Sequence, residues 1–305
     1  MRLLAIMTAG LVIAAGVATA LFLRADRPSP AHANTPVTQT TRDKAQVRPQ
    51  ATAGRVRVGV ISYDLPLFVR QTAIHPALTA KYLNWGAPFP AAEIRADHRL
   101  GATTALVLEP RAVSPRGIAA GRDNAFLASW ARAERKLGLP VILAFAPEAN
   151  GHWYTWGKGR ISPALYKRMY RKVHDVLLRD GARRVTWLWQ VNKISRKTER
   201  LSLLWPGRAY VNVIGLDGQL TKSWSTFYTC FGPTLAQIRR ITRTPVMLSE
   251  VAVVKGRALP AQLAELFSAA HKEHITALDF FDVKTWNFDH DRAALTVLRR
   301  AAKAR

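Results

Sequence analysis

Two glutamates in this chain each stand where an apolar run stops. Residues 140–147 read PVILAFAP, with no charge and no polar alternation, and Glu148 follows directly. Residues 244–249 read TPVMLS, and Glu250 follows. An unbroken apolar run of the first kind fits a strand buried on both faces, as in a parallel sheet. A carboxylate at the C-terminal end of such a strand is how closed parallel barrels build their sites. Two carboxylates across one cleft are the minimum equipment for glycoside hydrolysis. One stays protonated and donates to the leaving oxygen; the other stays ionised and attacks the anomeric carbon. That chemistry needs no cofactor.

Behind Glu148 come Asn150, His152, Trp153, Tyr154 and Trp156. Asn150 and His152 are candidates for orienting substrate. Flat rings bury the flat C–H faces of sugars well, so Trp153, Trp156, Trp189 and Trp286 are candidate sugar platforms. Of Trp187 and Trp189, which share one stretch, one is expected in the core, and Trp130, in a helical pattern, is assigned to the core as well. Asp217 ends another apolar stretch and is a candidate for binding hydroxyls; Glu109 is a weaker one. His75, His98, His271 and His274 show no ligand spacing, so no metal site is read. Ser62 and Ser249 lack a nucleophile-elbow context and Cys230 sits in no motif, which argues against a serine or cysteine hydrolase.

Positioning these residues requires a repeated scaffold, and the chain has one. Strand-like stretches fall at residues 56–62, 79–85, 103–108, 140–147, 184–191, 210–216, 245–249 and 275–281. Helical patterns at 65–78, 90–100, 122–137, 163–178, 234–241, 259–272 and 292–302 separate or follow them. In 122–137, Phe126, Leu127, Trp130, Ala133 and Leu137 share one face, and Gly138 is placed to cap the end. Eight strands over about 250 residues predict an α/β protein with a (β/α)8 TIM barrel. A doubly wound sheet is disfavoured because no glycine-rich phosphate loop follows any strand.

Residues 1–24 contain a 21-residue uncharged apolar run, 3–23, that suits a signal peptide or a membrane anchor. Residues 25–54, rich in Pro, Thr, Ala, Gln and Arg, read as a disordered linker, and residues 55–305 as the barrel domain. The expectation is an exported protein, secreted or membrane-anchored. Its single cysteine excludes an internal disulfide. The net charge is +25, of which +20 lies on residues 56–305. A field of that sign either marks a solvated surface or favours anionic membrane, wall polymer or acidic polysaccharide. No basic run has nucleic-acid motif spacing, so no nucleic-acid partner is expected.

Several stretches together resemble glycoside hydrolase family 26, the β-mannanase-like barrels of the 4/7 clan. PVILAFAPEANGHWYTWG is similar to that family's acid/base strand and TPVMLSE to its nucleophile strand. RVTWLWQVN, AYVNVIGLDG and FFDVKTWNFD resemble strands five, six and eight, and PALTAKYLNWGAPFP with TTALVLEP fits strands two and three. The likeness extends over most of residues 56–290. It implies Glu148 as general acid/base and Glu250 as nucleophile of a retaining mechanism, with Trp153 and Trp156 beside the sugar subsites. The chain departs from the family at Ala144 (usually arginine), Pro147 (histidine), Ala149 (methionine), Gln219 (tyrosine, touching the nucleophile) and Ala252 (glycine). The expected activity is endo-hydrolysis of a β-linked polysaccharide, most simply mannan. The alternatives are a barrel that binds glycan without cutting it and an enzyme processing an acidic exopolysaccharide or wall polymer.

Overall fold

The computed structural model describes residues 56–283, 288 and 290–303. The N-terminal apolar run, the linker and Trp286 lie outside the described residues. Eight parallel strands close into a barrel in sequence order: β1 Arg57–Ile61, β2 Leu78–Asn84, β3 Thr103–Glu109, β4 Val141–Phe145, β5 Val185–Asn192, β6 Val213–Leu220, β7 Val246–Val253 and β8 Ile275–Phe281. The helices are α1 Leu65–Thr72, α2 Ala91–Arg99, α3 Pro115–Ala120, α4 Asn124–Leu137, α5 Pro163–Arg179, α6 Leu201–Leu204, α7 Phe227–Cys230, α8 Gly232–Ile241, α9 Leu259–Lys272 and α10 Arg292–Lys303. The (β/α)8 barrel expected from the strand rhythm is therefore the fold.

Successive residues of a strand point to opposite faces, so each barrel strand feeds two cores. Ile142 and Ala144 of β4 join Ala105, Val107, Leu188 and Met247 in the lumen. Val141, Leu143 and Phe145 of the same strand join the larger core between barrel and helices. This is why residues 140–147 read apolar throughout. The helices start from local signals: Asp64, Ser114 and Ser162 cap α1, α3 and α5, accepting from the backbone N–H groups of Leu67, Gly117 and Leu165. Gly138 ends α4 in the left-handed conformation (φ 70°).

Several boundaries differ from the sequence reading. Helix α1 stops at Thr72, where Ala73 takes φ 54°, and does not run to residue 78. Residues 208–210 form a turn of 3-10 helix, and β6 starts only at Val213. Strands β6 and β7 run on to Leu220 and Val253, pairing beyond the carboxylates and raising that side of the barrel wall. The mouth that carries the site is therefore deeper along β6 and β7.

Candidate active site

Glu148 does not end β4; the strand stops at Phe145 and Glu148 sits in the turn beyond it. Ala146 (φ 48°) and Glu148 (φ 51°) both occupy the left-handed region, which costs roughly 1–3 kcal/mol per residue unless the surroundings enforce it. They do. The Ala146 N–H donates to Leu108 O at 3.0 Å, the Glu148 N–H to Gln190 O at 2.9 Å, and Gly151 N–H to Glu148 O at 2.8 Å. Trp156 lies beneath the turn and donates from Nε1 to Pro147 O at 2.8 Å. The strained turn aims the Glu148 carboxylate back over the lumen, where Asn192 Nδ2 and Trp153 Nε1 (2.8 Å) donate to it.

Glu250 reaches the lumen through an irregularity in β7. Leu216 pairs with Leu248 and Asp217 pairs with Glu250, so Ser249 is an extra residue in a β-bulge. Met247 faces the lumen and Leu248 the helices. Regular alternation would turn Ser249 inward and Glu250 outward. With the bulge both face in: Ser249 Oγ donates to Asp217 Oδ1 at 2.5 Å, while Glu250 Oε1 accepts from Tyr82 Oη and Gln190 Nε2, each at 2.7 Å. Gln190 Nε2 also donates to Asp217 Oδ2 at 2.9 Å. Gly215 makes room for this arrangement, since a Cβ there would stand 2.3 Å from Ser249 Oγ. Gly215→Ala is expected to displace Ser249 and destabilise the protein by about 1–3 kcal/mol, read as a fall in the urea midpoint.

Glu148, Asp217 and Glu250 bring carboxylate oxygens within 4.8 Å of one another. Burial first, then the negative charge of Glu148, push Glu250 up to about 8. Burial likewise raises Glu148, and burial followed by the charge of Glu250 raises Asp217 and Asp279 well above the ordinary carboxylate range. Carboxyls this close titrate as a unit, and the group holds protons through neutral pH. Burial, then the Glu250 charge, holds the Tyr82 hydroxyl far above its ordinary value, so it remains a donor. The three carboxylates are the one group of metal-ligand type among the described residues. Five donors, on Asn192, Trp153, Ser249, Gln190 and Tyr82, already bond five of their six oxygens, Glu250 Oε1 twice, and compete with any cation. Among the described residues no lysine or arginine pairs with Glu148 or Glu250.

The candidates named from sequence separate into those at the open cleft and those beneath it. Trp153 is 47% exposed, with exposed His152 edge-on to it at 5.4 Å. Trp156 is not a sugar platform: it is buried at 1%, stacked under Tyr154 at 4.3 Å, and it positions the Glu148 turn. Trp189 is also corrected. A spacing of two puts Trp187 and Trp189 on the same face, and both point to the helices, Trp189 against Trp205 and Trp187 against Tyr170. Asn150 is fully buried and latches Asn192 through its backbone, accepting from Asn192 N and donating to Asn192 O; it acts on Glu148 only through that neighbour. Asp217, 2% exposed, is closed off from sugar hydroxyls by Ser249 and Gln190. Glu109 is taken by Arg111 at 2.5 Å.

Sequence reasoning missed Tyr82, Gln190 and Asn192. Each shares the parity of a lumen residue on its own strand: Tyr82 with Leu78 and Ala80, Gln190 and Asn192 with Leu188. Alternation counted from those anchors would have found all three.

Comparison with known proteins agrees with the fold. Endoglucanase H of Acetivibrio thermocellus is 24% identical over 244 residues, covering 73% of this chain and 27% of that protein. Mannan endo-1,4-beta-mannosidase of Bacillus subtilis is 29% identical over 115 residues, covering 34% of this chain and 31% of that protein. The matches thus span about a third or less of these relatives' lengths. Among solved structures, the catalytic domain of a family 26 endo-beta-1,4-mannanase from Bacillus sp. JAMB-750 superposes with a TM-score of 0.63 at 17% identity, covering 82% of this chain and 86% of the other. A family 26 beta-mannanase from Bacteroides ovatus gives 0.62 at 13%, covering 84% and 90%. At those identities the likeness concerns the fold. Residues 114–291, more than half of the chain and including both glutamates, match the profile of Glycosyl hydrolase family 26. The chain belongs to that family.

Proposed function

We propose that this protein is a retaining endo-β-glycanase with Glu148 as general acid/base and Glu250 as nucleophile. The observation that carries the reading is the gap between the two carboxylates, whose oxygens lie within 4.8 Å. Retaining enzymes hold their carboxyls about 5–5.5 Å apart, whereas inverting ones need about 6.5–9.5 Å to admit a water. Glu250 attacks the anomeric carbon as a proton passes from Glu148 to the leaving oxygen. Glu148 then takes a proton from the water that releases the glycosyl-enzyme. Trp153 spans both roles, with its ring open to the cleft and its Nε1 on Glu148.

The named activities of the relatives, an endoglucanase and a mannan endo-1,4-beta-mannosidase, favour a β-linked mannan or glucan backbone. The apolar run at residues 3–23 supports export, by secretion or through an anchor. The test is reducing-end release by the full chain from β-mannan, glucomannan, β-glucan and β-1,3-xylan, with the first-formed anomer followed by proton NMR. Release of the β-anomer from a β-linked polymer supports the reading. Release of the α-anomer, or binding without release on every polymer, overturns it.

A further inference from the structure

The mouth of the barrel is electrostatically divided. Its floor is acidic and its rim, along β5 to β7, is basic. The loop after β5 exposes Arg196, Lys197 and Arg200, the loop after β6 exposes Lys222, and the loop after β7 exposes Lys255 and Arg257. None of the six has a carboxylate within ion-pair distance among the described residues. The same arc holds one acid, half-buried Glu199, whose carboxylate accepts from the Arg200 backbone N–H. The loops at the opposite end carry a smaller excess of cations. They hold Arg183, Arg184 and Arg243 against Asp180 and Glu273, and both acids are already paired, with Arg179 and Arg239.

The basic loops form one continuous edge. Glu199 N donates to Asn150 O, and Lys158 Nζ to Thr198 O at 2.9 Å, tying the loop after β4 to that after β5. Lys193 Nζ donates to Gln219 O at 3.0 Å, and Val254 N to Leu220 O at 2.9 Å, joining β5 to β6 and β6 to β7. Gln262 Nε2 holds the turn that carries Lys222 by donating to Lys222 O and Ser225 O. At the tip of that turn Trp224 is 71% exposed. The edge thus sets a flat ring among unpaired cations, on the side where the wall is highest.

We infer that the glycan this site accepts is anionic: a β-linked backbone bearing carboxylate or phosphate groups on units flanking the one that is cleaved. The inference rests on the hydrolase reading of the cleft. The cleaved unit itself must be uncharged there, because it lies over Glu148, Asp217 and Glu250, and a like charge against them is repelled. The flanking units meet the cations and Trp224, which suits a sugar ring carrying a negative group. Each exposed ion pair is worth only about 0.2–1 kcal/mol, so discrimination comes from several acting together and is sensitive to salt.

The test compares one glucomannan with the same polymer partly oxidised at C6 to uronate and with a phosphorylated form. Binding is measured on full-chain Glu148→Gln, and cleavage on the native chain. The expected result is affinity about tenfold higher for a charged polymer than for its parent at low salt, equivalent to roughly 1.4 kcal/mol. That advantage disappears near 1 M salt, where the screening length is about 3 Å. The combined Arg196→Gln, Lys197→Gln and Arg200→Gln change removes most of it, whereas Arg99→Gln, Arg183→Gln and Arg243→Gln, far from the mouth, keep it. Preference for the oxidised over the phosphorylated form identifies carboxylate as the group read, and the reverse identifies phosphate. Equal or better binding of the neutral parent overturns the inference and leaves the hydrolase reading intact. Salt-sensitive binding to vesicles of anionic phospholipid, lost in the triple variant and without polymer preference, overturns it in favour of a membrane surface. Preferential binding of the charged polymer with no cleavage of any polymer sustains the preference for an anionic glycan and removes the hydrolase reading, and with it the placing of the charges beside a cleaved unit.

Discussion

Glu250→Gln is expected to lower kcat on a cleaved polysaccharide by on the order of 10⁴-fold or more, because no covalent intermediate can form. Glu148→Gln should cost about 10²–10⁴-fold on the same polymer, the range spanned by a lost general acid or base. The two losses differ in kind, which is what makes the pair informative. With an aryl glycoside whose leaving group departs without protonation, the Glu148 variant still forms the glycosyl-enzyme. Azide, which needs no base, then releases it and raises turnover. The Glu250 variant gives no such intermediate, so any azide product has the opposite anomeric configuration. Steady-state kinetics with and without azide, with NMR of the glycosyl azide, check the assignment. Azide rescue of the retained kind in the Glu250 variant, and not in the Glu148 variant, would reverse the two roles.

Tyr82→Phe is the second large effect. Its hydroxyl donates to Glu250 Oε1 at 2.7 Å from β2, while the family tyrosine expected after Asp217-Gly218 is Gln219 in this chain. A hydrogen bond to a charged group is worth about 1.5–3 kcal/mol, so kcat/KM should fall roughly 10- to 100-fold. The pH profile carries the diagnosis. Tyr82 stabilises the ionised form of Glu250, and its removal raises the pH at which that form appears. The acid limb should therefore move up by roughly 1–2 pH units. In the native protein the alkaline limb should fall where Glu148, raised by burial, loses the proton that it gives to the leaving group. A Tyr82 acting only through packing would lower activity without moving either limb.

The barrel was legible because parallel strands buried on both faces leave apolar runs, and the chain has such runs at 140–147 and 244–249. Glu148 and Glu250 were legible because each stands at the end of one. What the sequence did not reveal was which way side chains turn. Trp156 and Trp189 are large and aromatic whether they bind sugar or fill a core, and only the strand face distinguishes the two cases. Trp189 falls on the helix face by simple alternation from Leu188, while Trp156 is buried by a turn with no regular period. Asn150 reads as a polar loop residue, yet both ends of its side chain are spent on the backbone of Asn192. Tyr82 lies 168 positions from Glu250, a separation that no local pattern bridges.

The bulge at Ser249 behaves as a change of reading frame within one strand. Below it, odd-numbered residues of β7 face the lumen; at Glu250 the parity switches. A one-residue deletion among positions 246–249 would restore regular pairing and keep the nucleophile opposite Asp217, but would cost the extra inward side chain by which Ser249 holds Asp217. A one-residue insertion there would shift the frame again. Descendants of this gene can therefore exchange the other residues of that strand for ones of similar bulk, while a change of length ahead of Glu250 costs the inward face of either Ser249 or the nucleophile. Length polymorphism, tolerated in the surface loops, is constrained in the part of β7 that precedes the nucleophile.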